Sequence, residues 1–259
     1  MKLTVVSMLT STCILAVGFA FCFTLTSFAQ DKTSTLLRVA VYRDAGASDT
    51  CANATREILD LTQDCKADFI SSGDIQNGVL KDYDVVFFPG GSASAQRKAL
   101  GDEGWKRLWS FLEDGGGYVG TCAGAYLALY SDSRLEGRLI NAELQEGEWE
   151  RGEAILEIEL TEEGREILGD YEGRLNIAYQ NGPIFHPANY SELEPYRVLA
   201  FFRSEIAEND APKGVQINSP AIAVGEYGKG RVVILSPHPE LTPKLNSFVP
   251  KIARYASKK

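Results

Sequence analysis

Between residues 36 and 121, short apolar runs alternate with helix-length segments, and this alternation constrains the fold more than any other feature of the chain. "LLRVAVY" (36–42), "ADFIS" (67–71), "DYDVVFFPGG" (82–91) and "GYVGT" (117–121) are the strand-like runs. They are close to continuously apolar, so they are expected to be buried on both faces. Between the first two lies a segment read as a helix over residues 51–64, with Ala54, Ile58, Leu59 and Leu61 as its apolar positions. "DEGWKRLWSFLEDGGG" sets Trp105, Leu108, Trp109 and Leu112 on one helical face and stops at glycines. Strand, helix, strand in this order implies an α/β fold whose parallel sheet is covered on both sides.

The second half carries more strand-like pieces: "EAILEIEL" (153–160), "RLNIAYQ" (174–180), "RVLAFFR" (197–203), "PAIAVGEY" (220–227) and "RVVILSP" (231–237). "EYGKGR" between the last two is a hairpin signal, so antiparallel strands are expected here. A helix over "LTPKLNSFVPKIARYA" closes the chain, with Pro250 expected to break or kink it. With no internal repeat, low-complexity tract or linker, residues 32–259 read as one domain.

The first 29 residues read differently. They hold one Lys, a long apolar stretch, and Ser27-Phe28-Ala29, with small residues at the −3 and −1 positions of a cleavage site. A secretory signal cut after Ala29 is expected; an uncleaved anchor is the alternative, since the stretch is long enough to span a bilayer. Loss of the signal leaves three cysteines, Cys51, Cys65 and Cys122. A three-turn helix would hold Cys51 and Cys65 roughly 20 Å apart, beyond the ~7 Å that a disulfide allows between Cα atoms. The net charge of −9, with no basic run longer than a terminal Lys-Lys, disfavours nucleic acid or an anionic membrane as partner.

In parallel sheets, ligands bind beyond the carboxyl ends of the strands, and three features fall there. Cys122, in "GTCAGA", follows one strand and precedes an Ala/Leu/Tyr-rich helix, with small residues on both sides. That is the composition of a nucleophile elbow, where the backbone is strained and has no room for bulk. A helix N-terminus behind the sulfur also favours the thiolate. A plain core cysteine is the alternative. His238, one of two histidines, follows the last strand with Glu240 two residues on; a thiol needs a base, and the base an acceptor that orients it. A surface histidine in a Pro-rich turn is the alternative. Gly90 and Gly91, at the exit of the neighbouring strand, offer backbone N–H groups to an oxyanion together with that of Ala123, although a Gly-Gly pair is more often a turn.

"FPGG", "GGGYVGTCAGAYLAL" and "SPHPE" together resemble the class I glutamine amidotransferase-like superfamily, and more closely the biotin-protein ligase N-terminal-like domain. The resemblance spans most of residues 36–245. It implies a flavodoxin-like three-layer α/β sandwich with a mainly parallel central sheet and extra antiparallel strands in the C-terminal half. It also implies Cys122 as nucleophile, His238 as base and Glu240 as the residue that orients it. "YQNGPIF" (179–185) resembles an Asn-Gly segment of that subfamily, so Tyr179 and Asn181 are candidate substrate contacts, with a turn as the alternative. In the protease and deglycase-like branch a His directly follows the nucleophile; here Ala123 follows, which points to the amidotransferase and γ-glutamyl-hydrolase side.

An exported chain has no synthetase to receive ammonia, so the hydrolytic half-reaction is expected. The chain then reads as a cysteine-dependent amidase or γ-glutamyl-type hydrolase acting through a thioester. The alternative is a binding or scaffolding domain that kept the corner without the activity. A small-molecule or peptide amide is the expected partner, and no cofactor or metal is called for. The loop after the first strand adds two expectations. Asp49 and Asp44 line the pocket or simply cap a helix. Cys51 lies near the same sheet edge as Cys122, about two strand spacings or 10 Å away, as a redox partner. His186 is expected to take no catalytic part.

Overall fold

The computed structural model describes residues 36–130, 138–145 and 150–258. The expected signal segment lies outside them, as does part of the 141–152 loop. Residues Ser34–Lys259 form one compact unit. Its first half runs β1 (Leu37–Tyr42), α1 (Asp49–Asp60), β2 (Cys65–Ile70), α2 (Ser72–Gln76), β3 (Val85–Phe88), α3 (Ala93–Glu113), β4 (Gly117–Thr121) and α4 (Ala123–Leu129). The second half runs β5 (Ala142–Leu144), β6 (Glu153–Leu160), α5 (Glu162–Leu168), β7 (Arg174–Gln180), β8 (Phe185–Pro187), β9 (Arg197–Phe202), β10 (Pro220–Tyr227), β11 (Gly230–Leu235) and α6 (Phe248–Ala256).

Nine strands form one sheet in the order β2-β1-β3-β4-β11-β10-β9-β6-β7, and β5 pairs with β8 apart from it. The strands from β2 to β11 are parallel. The hairpin between β10 and β11 turns the sheet antiparallel, and it stays so out to β7. Alternate residues of each central strand face opposite layers. Val39, Val41, Val85, Phe87, Val119, Val233 and Leu235 pack with α1, α5 and α6. Ala40, Tyr42, Val86, Phe88, Tyr118, Val232 and Ile234 pack with α3 and α4. A side chain of this size contributes about 1.5–3 kcal/mol when fully buried, which is why both faces are covered.

Three sequence-based expectations need correction. The helix over 51–64 stops at Asp60, and Cys65 opens β2 in register with Leu37. The helix that carries Trp105 begins earlier, at Ala93, and bends at Gly101, whose φ of 58° and ψ of −174° leave the helical region. The closing helix starts only at Phe248, so Pro250 is its third residue. First-turn N–H groups have no intrahelical acceptor, and the proline therefore neither breaks nor kinks it.

The topology brings the carboxyl ends of β1, β3, β4 and β11 together, because these are the adjacent parallel strands. Helix α1 follows the first of them. Ser48 caps it by accepting from the Cys51 N–H, and Cys51, Ala52, Thr55 and Leu59 form its buried face.

Candidate functional site

Cys122 sits between β4 and α4 with φ 49° and ψ −103°. Positive φ in a residue other than glycine costs on the order of 1–3 kcal/mol and persists only where the surroundings impose it. The surroundings here are glycines. A Cβ on Gly120 would lie 2.4 Å from the Gly124 carbonyl oxygen, and one on Gly124 would lie 2.0 Å from that of Phe88. The helix therefore starts directly against β3 and β4, and only small residues fit the corner. The Cys122 N–H donates to Leu235 O at 2.9 Å, which ties the corner to β11. Its side chain is buried, and the thiol donates to Gln180 O at 3.2 Å.

His238 is held just past β11. Its N–H donates to Ala178 O at 2.8 Å, and its carbonyl accepts from Thr242 Oγ1 at 2.8 Å. Nδ1 lies 2.7 Å from Glu240 Oε1, and both side chains are almost wholly buried, 2% and 0% exposed. Thr121 Oγ1 donates to the same oxygen at 3.4 Å. Burial alone pushes the imidazole's pKa down. The Glu240 carboxylate first, and then the nearby Cys122 and Cys51 side chains, outweigh it and hold the pKa well above the usual histidine range. Nε2 of His238 and Oε2 of Glu240 make no hydrogen bond.

Gly90 closes the group. A Cβ there would lie 2.7 Å from His238 Cε1, 3.2 Å from Cys51 Sγ and 3.6 Å from Cys122 Cβ. Two thiols thus flank one imidazole, with Cys51 Sγ 3.8 Å from Nδ1. Gly91 is at φ 137°, and a side chain on it would strike Gly46 O. Ala47 bridges to it across the loop after β1. Ala123 is the first residue of α4, where the N–H groups have no intrahelical acceptor.

The remaining candidates separate. Asn181, at φ 51°, is pinned by its Oδ1 accepting from Gly152 N at 2.7 Å. It lines a cleft of about 710 Å³ with Gly91, Tyr126 and Arg138. Tyr179 is fully buried, its hydroxyl donating to Gly182 O at 2.8 Å; it supports the segment and does not open on the cleft. Asp49 is 75% exposed and paired with Arg43, outside the Cys122 group, and Asp44 accepts from Ser72. Both line a separate cleft with Arg43, Ala47 and Phe69. His186 stands beside Glu143 and takes no part in the group. Cys51, Cys65 and Cys122 are all free thiols, so no disulfide joins Cys51 to Cys122.

Three partners were not anticipated: Thr121 on Glu240, Gln180 O on Cys122, and the direct contact of Cys51 with His238. The last had a signal in the sequence. Cys51 is four residues before Thr55 and eight before Leu59, on one face of the helix.

The fold is similar to that of glutamine amidotransferase and ThuA-like structures. More narrowly, residues 37–138 match the family described as biotin-protein ligase, N terminal. That match includes Cys122 and ends before His238. Among solved structures, a ThuA-like protein from Bacteroides uniformis aligns at a TM-score of 0.56 and 14% identity, over 87% of this chain and 92% of that one. A glutamine amidotransferase from Thermotoga maritima aligns at 0.55 and 14%, over 86% and 99%. A β-galactosidase from Bacillus circulans sp. alkalophilus aligns at 0.51 and 17%, over 85% of this chain, which spans 31% of that enzyme. At these identities the likeness is one of fold. No curated protein sequence matches the chain.

Proposed function

We propose that the chain is an exported, cysteine-dependent hydrolase of amide bonds, of amidase or γ-glutamyl type. The observation that carries this reading is the strained Cys122 corner, at φ 49°, beside a buried imidazole bound to a carboxylate. A cysteine with only a packing role has no need of a conformation this costly.

In this reading the Cys122 thiol gives its proton to His238 Nε2, and the sulfur attacks the amide carbonyl carbon. The oxyanion of the tetrahedral intermediate faces the backbone N–H groups of Gly90, Gly91 and Ala123. The Nε2 proton of His238 goes to the leaving amine, the C–N bond breaks, and a thioester remains. Water then attacks the thioester with Nε2 as base, the C–S bond breaks, and the carboxylic acid leaves. Glu240 fixes the ring through Nδ1, so the proton in play is at Nε2. The thiol's present bond to Gln180 O does not oppose this, because catalytic hydrogen bonds are often loose until substrate binds.

Alkylation of Cys122 by iodoacetamide, read by intact mass, tests the reading in wild type, His238→Asn and Glu240→Gln. Fast wild-type labelling that slows by about tenfold or more in His238→Asn, with thioester trapped from a γ-glutamyl amide, is the expected result. Slow labelling indifferent to His238 overturns it in favour of a binding domain. Export is tested separately: the secreted chain should begin at Gln30.

A further inference from the structure

The His238 pocket holds one group that amide hydrolysis does not use, the Cys51 thiol. It comes from the first turn of α1, whereas His238 and Glu240 come from the segment after β11. Sulfur, imidazole nitrogen and carboxylate oxygen all lie within 4.8 Å of one another, and all three residues are buried. Glu240 Oε2 is sealed in this space without a hydrogen bond, leaving a buried oxygen with no protein partner.

We propose that Cys51 Sγ, His238 Nδ1 and a Glu240 carboxylate oxygen form a zinc site whose fourth position is open to water. With bonds of about 2.3 Å to sulfur and 2.0–2.1 Å to nitrogen, two donors on a tetrahedral zinc stand roughly 3.5 Å apart. Cys51 Sγ and Nδ1 stand 3.8 Å apart. The Nδ1–Oε1 separation of 2.7 Å is a hydrogen bond, and it widens by about 0.7 Å when zinc replaces the proton. Either carboxylate oxygen can then serve. Mixed sulfur, nitrogen and oxygen donors suit zinc, and calcium or magnesium would take oxygen alone. Thiolate and carboxylate together offset the charge of the ion, so the pocket buries no net charge. Binding releases two protons to solvent, that of the Cys51 thiol and that on Nδ1.

The site shares His238 and Glu240 with the hydrolytic reading but not its nucleophile. Where that reading holds, zinc on Nδ1 replaces the Glu240 contact that orients the base, and the loaded chain is a silenced hydrolase. Zinc binding itself does not rest on it.

The test uses the full chain, reduced and stripped with a chelator, then titrated with zinc chloride against a chromophoric chelator, with stoichiometry from native mass spectrometry. One zinc per chain is expected. Cys51→Ser and Cys51→Ala should each weaken it by about 100-fold or more, since even outer-shell partners of a ligand are worth 10–100-fold. Cys122→Ser, which removes only the nucleophile, and Cys65→Ser should bind as wild type does. Should the Cys51 variants fail to fold, cobalt(II) added to the wild type must still give thiolate-to-metal charge-transfer absorption. No zinc on the wild type, no such absorption, zinc retained by both Cys51 variants, or zinc lost in Cys122→Ser overturns the proposal.

Discussion

Gly90→Ala isolates the geometry of the site from its chemistry. The φ of Gly90 is not in the left-handed region, so alanine meets no backbone strain there, and the whole effect is steric. Its methyl carbon would lie 2.7 Å from His238 Cε1 and 3.2 Å from Cys51 Sγ, against about 3.5–4.0 Å for a relaxed carbon contact. The imidazole must therefore retreat by about 1 Å. It cannot do so freely, since its backbone is bonded to Ala178 and Thr242. A retreat of that size takes the 2.7 Å bond to Glu240 past the roughly 3.2 Å at which such bonds end. Overpacking of this kind costs about 1–3 kcal/mol. For a domain of this size each kcal/mol lowers the melting temperature by about 2–4 °C, so a fall of about 2–12 °C is expected. Cys122 alkylation should slow in the same variant. Gly73→Ala is the control: its Cβ meets only Ser71 Oγ, at 3.7 Å, and in α2 alanine is favoured over glycine by about 0.5–1 kcal/mol. A Gly90→Ala protein that melts and labels like the wild type would refute the packing of His238 against Gly90.

Two further substitutions test neighbouring assignments. The Ser72 hydroxyl and N–H hold the Asp44 carboxyl below its usual range. That bond adds stability above the unfolded carboxyl value and loses it as pH falls through the folded one. Ser72→Ala should therefore flatten the acid limb of the stability curve below about pH 4. Asp44 is exposed, so the difference should stay under about 1 kcal/mol in urea unfolding at pH 6 and pH 3; a steeper acid limb in the variant would contradict it. Tyr179→Phe strands the buried Gly182 carbonyl, and should cost about 1–3 kcal/mol of stability without changing KM for any amide substrate. A rise in KM with unchanged melting would return Tyr179 to the substrate-contact role.

The parallel half of the fold is legible because its central strands β3 and β4 are buried on both faces, and that pattern has few other outcomes. Its boundaries are less so. Residues 61–64 read as the end of a helix because "DLTQD" continues a helical spacing, but Leu37 pairs with Cys65 and the chain must leave the helix at Asp60 to reach the sheet. Pro250 reads as a breaker because local sequence does not say where a helix begins. The chain enters α6 two residues before the proline, at Phe248, whose burial in the core sets that entry.

The site divides along the same line. Cys122, His238 and Glu240 can be found because each is announced by its own neighbours: glycines that permit a strained corner, a strand that ends, a carboxylate two residues on. Cys51 is announced less plainly: its spacing puts it on the buried face of a helix, but a cysteine there looks like any small core residue. What places its sulfur against His238 is the approach of α1 to the turn after β11, a contact between segments 187 residues apart. Gly90 shows how the two kinds of information meet. The sequence marks it as a turn glycine or an oxyanion donor, whereas its missing side chain is also the space the imidazole occupies. A glycine that looks optional in one strand exit is thus required by a histidine that another strand delivers.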